Sequence, residues 1–127
     1  MGKPVVHFEI IGSDPQRLRT YYSELFDWQF EVGDAAAEAV SAPGTYGFVH
    51  PHDGGIPGGV GGGAGYPHRT LFYVGVPDVE AALRQAERLG GTRVSGPHPN
   101  RDETLVVGFF TDPEGHLVGL AAAGQPR

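Results

Sequence analysis

His7 and Glu9 stand two residues apart in the apolar run "VVHFEIIG". Two residues is the repeat of an extended strand, so both side chains leave one face, about 7 Å apart at a rise of ~3.3 Å per residue. An imidazole and a carboxylate so placed suit proton transfer. Glu9 would be the general base, its pKa raised by desolvation, and His7 would orient a substrate. A structural reading competes and is favoured: both groups hydrogen-bond to neighbouring strands, or Glu9 pairs with a basic residue such as Arg69 or Arg93. A carboxylate buried with no partner is costly, so some partner is expected either way.

Other residues with chemical potential lie in turns and loops. His116 follows the turn of "FFTDPEGHLVGL" and reads as a turn residue that bonds locally and faces solvent. His50 and His52, in "HPHD", would contribute to a site only if that loop folds inward. "GPHPNRDE", residues 96–103, places His98, Asn100 and Arg101 on a surface loop, the alternative being that Arg101 reaches an anionic substrate. "GGIPGGVGGGAG" resembles a phosphate-cradling loop only in its glycines. It lacks the Lys-Ser/Thr ending and the strand–helix setting, so no nucleotide site is expected. Tyr73, Phe109 or Phe110, Trp28 and Tyr46 are candidates for an aromatic wall. Alternation supports Tyr73 directly, whereas Trp28 is expected to pack at a helix exit.

Those residues need a scaffold. The first run, residues 4–11, reads as a strand by its alternation. In "SDPQRLRTYYSELF", Asp14 before Pro15 marks a helix start, and Leu18, Tyr21, Tyr22, Leu25 and Phe26 recur at helical spacing. "WQFEV" and "YGFVH" read as strands. The glycine-dense stretch that follows is either a mobile loop or a strand that something approaches closely. Then "TLFYVGV" is a strand, and "PDVEAALRQAERLGG" is a helix capped by Asp78 and ended by Gly90 and Gly91. "TRVSG", "ETLVVGFFT" and "HLVGLAAA" complete the chain as strands, the last two joined by the "DPEG" turn. Sliding the sequence by 64 positions pairs Phe8 with Phe72, Asp14 with Asp78 and Leu25 with Leu89. Strand and helix coincide under that shift, which predicts an internal duplication of strand, helix and three strands.

Composition narrows the function classes. An apolar fraction of 39% supports a real core. With no cysteine, disulfides and thiolate metal sites are excluded, and a reducing, cytoplasmic setting is expected. No signal peptide or membrane span is read. A net charge of −6 and nine scattered basic residues argue against a nucleic-acid partner.

A doubled βαβββ unit with these words resembles the vicinal oxygen chelate superfamily. That group includes glyoxalase I, extradiol dioxygenases, fosfomycin- and bleomycin-resistance proteins and methylmalonyl-CoA epimerase. The resemblance runs from "VVHFEIIGSDPQRLRTYYSELFDW" through "TLFYVGVPDVEAALRQAERLGG" to "FFTDPEGHLVGL", with His116 in place of the asparagine usual after the turn glycine. "HFEI" and "YYSELFDW" are most similar to a branch of small glyoxalase-like proteins. The resemblance implies an α+β fold in one domain, with modules at residues 4–66 and 68–123 curling into a half-open barrel around a cavity. Phe8 and Phe72 would then face the helices, and His7, Glu9, Leu71 and Tyr73 the cavity.

Family metal ligands come from four strand positions, which here match His7, the segment around Gly58 to Val60, Leu71 and Gly119. A divalent ion needs several donors converging on one point. One survives, so no metal or other cofactor is expected, with His7 the ligand if a metal is bound. His68 does not rescue the third position, because it precedes Leu71 by three residues and so points to the opposite strand face. Gly119 would leave an opening in the cavity wall. The function expected is binding of a small organic molecule, with His7, Glu9, Leu71, Tyr73, Phe109 and Gly119 as contacts and Glu9 the candidate catalytic residue. The alternatives are a divalent-metal lyase, isomerase or dioxygenase of glyoxalase type, and a drug-sequestering resistance protein. A homodimer is expected.

Overall fold

Capping decides where both helices begin. In the computed structural model, which describes residues 2–33, 36–51 and 54–124, the Asp14 carboxylate accepts from the Arg17 amide at 3.1 Å and Pro15 opens α1 (Pro15–Phe26). Asp78 does the same for the Ala81 amide at 3.1 Å and starts α2 (Val79–Arg88). Eight strands accompany them among the described residues: β1 (Val5–Gly12), β2 (Phe30–Gly33), β3 (Tyr46–Val49), β4 (Gly58–Gly62), β5 (Arg69–Gly75), β6 (Thr92–Pro99), β7 (Leu105–Thr111) and β8 (Leu117–Ala123). Their order along the chain, β1-α1-β2-β3-β4 then β5-α2-β6-β7-β8, is the duplicated βαβββ unit of an α+β protein. No helix among the described residues is long and apolar enough to cross a membrane.

The chain divides into two compact units: His7–Thr70, and Leu71 onward together with the residues up to Val6. In the first unit the strands run in the order β2-β3-β4-β1. β1 and β4 are parallel, with Glu9 opposite Gly59, while β3 lies antiparallel to β4, with Phe48 opposite Gly59. The middle of the glycine-dense stretch, Gly58–Gly62, is thus a strand, and every residue of it is buried. Side chains crossing it explain its composition. A Cβ on Gly58 would collide with the Phe8 ring, and one on Gly59 with the Tyr46 ring. Gly62, at φ +121°, lies against the Gly12 backbone, where no other residue fits.

In the second unit the order is β5-β8-β7-β6, with Tyr73 opposite Gly119 in a parallel pair and Phe109 opposite Gly119 in an antiparallel one. α2 packs Val79 and Leu83 on Leu120 and Ala122, with Val74, Val76, Val106 and Phe110 around them. Phe72 was expected under this helix as the counterpart of Phe8. It is instead 44% exposed, because the core takes Val74 and Val76 from that stretch. The apolar stripe of α1 is likewise covered only in part: Tyr21, Leu25 and Phe26 are exposed.

Candidate functional site

The absence of a side chain at Gly59 lets a tyrosine on β3 cross β4 and reach β1. Tyr46, 3% exposed, lies over Gly59, and its hydroxyl donates to Glu9 Oε1 at 2.9 Å. The same hydroxyl oxygen stands 2.8 Å from His7 Nε2. A hydroxyl has one proton; with that proton given to Glu9, the oxygen accepts from Nε2–H, which fixes the imidazole tautomer. Glu9 is 2% exposed, so Tyr46 meets the requirement that a buried carboxylate have a partner. Arg93 is not that partner: it binds Glu80 at 2.7 Å and Glu87 at 3.3 Å, carboxylates of α2.

His7 is partly exposed and sits among rings, with Tyr46 at 6.3 Å and Phe48 edge-on at 6.2 Å. Burial lowers its pKa to about 4, because the imidazolium loses hydration that the aromatic surroundings do not replace. His7 is therefore neutral at pH 7, as a proton acceptor must be.

The second unit arranges the matching face differently. Leu71, Tyr73 and Phe109 are all buried, with the Tyr73 and Phe109 rings 5.7 Å apart and edge to face. Phe109 takes this face, and Phe110 belongs to the core under α2. Gly119 opens no gap: a Cβ there would stand 2.5 Å from the Tyr73 ring, so the ring already fills the space. The expectation of an opening fails because the register pairs Tyr73 with Gly119 directly.

His98 was placed on a loop and lies on β6, which continues through the bulged segment to Pro99. Its pairing with Val107 puts it on the Phe109 side of the sheet, 6.4 Å from that ring. Its Nε2 is buried, with no hydrogen-bond partner among the described residues. Sequence missed it because the glycine and prolines around it read as loop. Asn100 closes the following turn, accepting from the Leu105 amide at 3.0 Å, and Arg101 is exposed.

The remaining histidines stand apart. His116 is exposed and bonds Asp112 at 3.0 Å, as a turn residue should. The Asp112 carboxylate also takes the His116 amide at 2.9 Å, which helps hold its pKa below the usual range. His50 pairs with Glu31 at 3.2 Å, and His68 bonds Ser13 at 3.3 Å. His52 lies outside the described residues. Trp28 packs at the exit of α1 against Phe8, Tyr22 and Phe26, with centroids 5.1 to 5.6 Å away.

The four family ligand positions do not fit a divalent ion. His7 gives one nitrogen, already bonded through Nε2 to Tyr46; Gly59 and Gly119 lie under tyrosine rings; Leu71 has no donor. Among the described residues no group of three or more His, Cys, Asp or Glu is placed to hold a metal.

A family model described as a glyoxalase-like domain matches residues 7–121. No curated protein matches the chain. Among solved structures, a hypothetical protein from Bacillus halodurans C-125 superposes with a TM-score of 0.70 at 12% identity, covering 100% of this chain and 99% of that one. Methylmalonyl-CoA epimerase from Mycobacterium tuberculosis gives 0.62 at 13%, covering 95% and 88%. A glyoxalase/bleomycin resistance protein/dioxygenase superfamily member from Vibrio splendidus 12B01 gives 0.55 at 14%, covering 95% and 99%. Identities this low speak for the fold alone; the family model, matched over most of the sequence, carries the assignment, and the chain belongs to the glyoxalase-like domain family of the vicinal oxygen chelate superfamily.

Proposed function

We propose that this protein binds a small organic molecule at His7 without a metal ion, and that Tyr46 and Glu9 support His7 as its proton-accepting group. The observation that carries the reading is the hydrogen-bond chain from His7 Nε2 through Tyr46 Oη to Glu9 Oε1, with steps of 2.8 and 2.9 Å. A proton arriving at the imidazole can pass through Nε2 to the hydroxyl and on to the carboxylate, so positive charge need not persist on an imidazole set among aromatic rings. Glu9 thereby acts from behind Tyr46, as a buried base.

Two measurements test this. Metal analysis of untagged protein after mild dialysis should find no stoichiometric zinc, nickel, manganese or iron. Near one equivalent per chain would replace the reading with a glyoxalase-type metal enzyme using His7. A thermal-shift screen of small carbonyl and carboxylate compounds should give a saturable shift that Tyr46→Phe weakens. A shift unchanged in Tyr46→Phe and His7→Gln would place the ligand elsewhere.

A homodimer is part of the proposal, supported by the exposed Tyr21 and Leu25 on α1. Sedimentation at micromolar concentration that shows only a 13.5 kDa species would contradict it.

A further inference from the structure

We propose that the aromatic groove at the C-terminal end of α1 binds a small organic cation bearing an apolar group. The groove lies wholly in the first unit, has a volume of about 670 Å³, and is lined by Phe8, Phe26, Trp28, Phe30 and Ile56. That volume is in the range of small-molecule sites. Phe26 and Ile56 remain 52% and 48% exposed, an apolar surface left in contact with water. Aromatic faces present negative quadrupoles, so a desolvated cation is the charged species they favour.

Three further features agree on the sign of charge. The lining holds the carboxylates of Asp27 and Glu31 and no lysine or arginine among the described residues. α1 ends there with no basic residue in its last turn, so the negative end of its dipole is uncompensated by the helix itself. Asp27 is the C-cap, in the left-handed conformation at φ 59°; a carboxylate at that end of a helix is electrostatically unfavourable, and a bound cation relieves it. The His50 imidazole, 3.2 Å from Glu31, is the one basic group at the rim among the described residues, which leaves two carboxylate residues to one imidazole. This inference is independent of the His7 site.

Trp28, the only tryptophan in the chain, reports on the groove directly. Benzyltrimethylammonium titrated into the full chain should change its fluorescence saturably at millimolar concentration or below. Benzyl alcohol should need about tenfold more, and benzoate more still. Asp27→Asn combined with Glu31→Gln should weaken the cation about fivefold and leave benzyl alcohol unchanged. Both changes preserve shape, and asparagine tolerates the left-handed cap, so the variant's circular dichroism should match the parent's. His7→Gln should leave the titration as it was. The proposal is overturned by no saturable response, by alcohol or benzoate acting at the same concentration as the cation, by a double variant that keeps full affinity, or by loss of the response in His7→Gln.

Discussion

Glu9 and Tyr73 are counterparts under the 64-residue repeat, and both face a glycine across a parallel strand pair, Gly59 and Gly119 respectively. A phenylalanine also faces each glycine from the antiparallel neighbour, Phe48 in the first unit and Phe109 in the second. The scaffold is the same to the residue, but the filling differs. In the second unit Tyr73 leans over its own glycine and packs edge to face on Phe109. In the first, the tyrosine comes from two strands away, so the β1 position is released for a carboxylate and the tyrosine hydroxyl is delivered to it. One duplicated register thus supports a face packed by aromatic rings in one copy and a hydrogen-bonded His–Tyr–Glu chain in the other.

Four experiments bear on that contrast. Phe109→Ala should have the largest effect, about 4 kcal/mol of stability, because a 1% exposed ring leaves a cavity that its neighbours cannot fill. Phe48→Ala, at the matching but half-buried position, should cost less than half as much by chemical denaturation. Equal losses would mean that the first unit's face is as much a structural core as the second's.

Next comes pH. The folded His7 pKa, about 4, lies below its unfolded value near 6.5, so between those values the unfolded chain binds more protons than the native one. The stability associated with neutral His7 is present above pH 6.5 and is lost as pH falls toward 4, a change of about 3 kcal/mol at most for a group part-open to water. Denaturant midpoints between pH 4 and 7 should show this slope in the parent and a shallower one in His7→Gln. Parallel slopes would show that His7 is solvated like a free imidazole.

Adding one methyl group probes the two glycines. Gly119→Ala forces the Tyr73 ring aside, an overpacking cost of about 1–3 kcal/mol. Gly59→Ala should fall at the upper end of that range, about 3 kcal/mol, since displacing Tyr46 also breaks its bonds to His7 and Glu9. A milder loss at Gly59 than at Gly119 would mean that those hydrogen bonds contribute little.

Glu9→Gln should change stability least, within about 1 kcal/mol, because the amide oxygen still accepts from Tyr46 and no cavity forms. It should nevertheless lower affinity or turnover for whatever the thermal-shift screen identifies. Unfolding, with ligand behaviour intact in the remaining folded fraction, would make Glu9 a structural residue.

Sequence alone determined both helices, the strands outside the glycine-dense stretch and the duplication. Asp14-Pro15 and Asp78 cap helices through local chemistry, the period of two in residues 4–11 is a strand signal, and the spacing of 64 relates the copies. His116 was also legible, because its partner Asp112 is four residues away within one turn. Tertiary structure decided the partners that come from afar. Tyr46 is 37 residues from Glu9, and nothing local distinguishes it from any aromatic facing a cavity. The glycines of β4 left loop and strand both open, because a fragment has no means of showing which rings will cross it. Gly119 read as an opening for the same reason: whether a glycine leaves space or accepts a neighbour's ring depends on the cross-strand register, a property of paired strands that neither strand encodes alone.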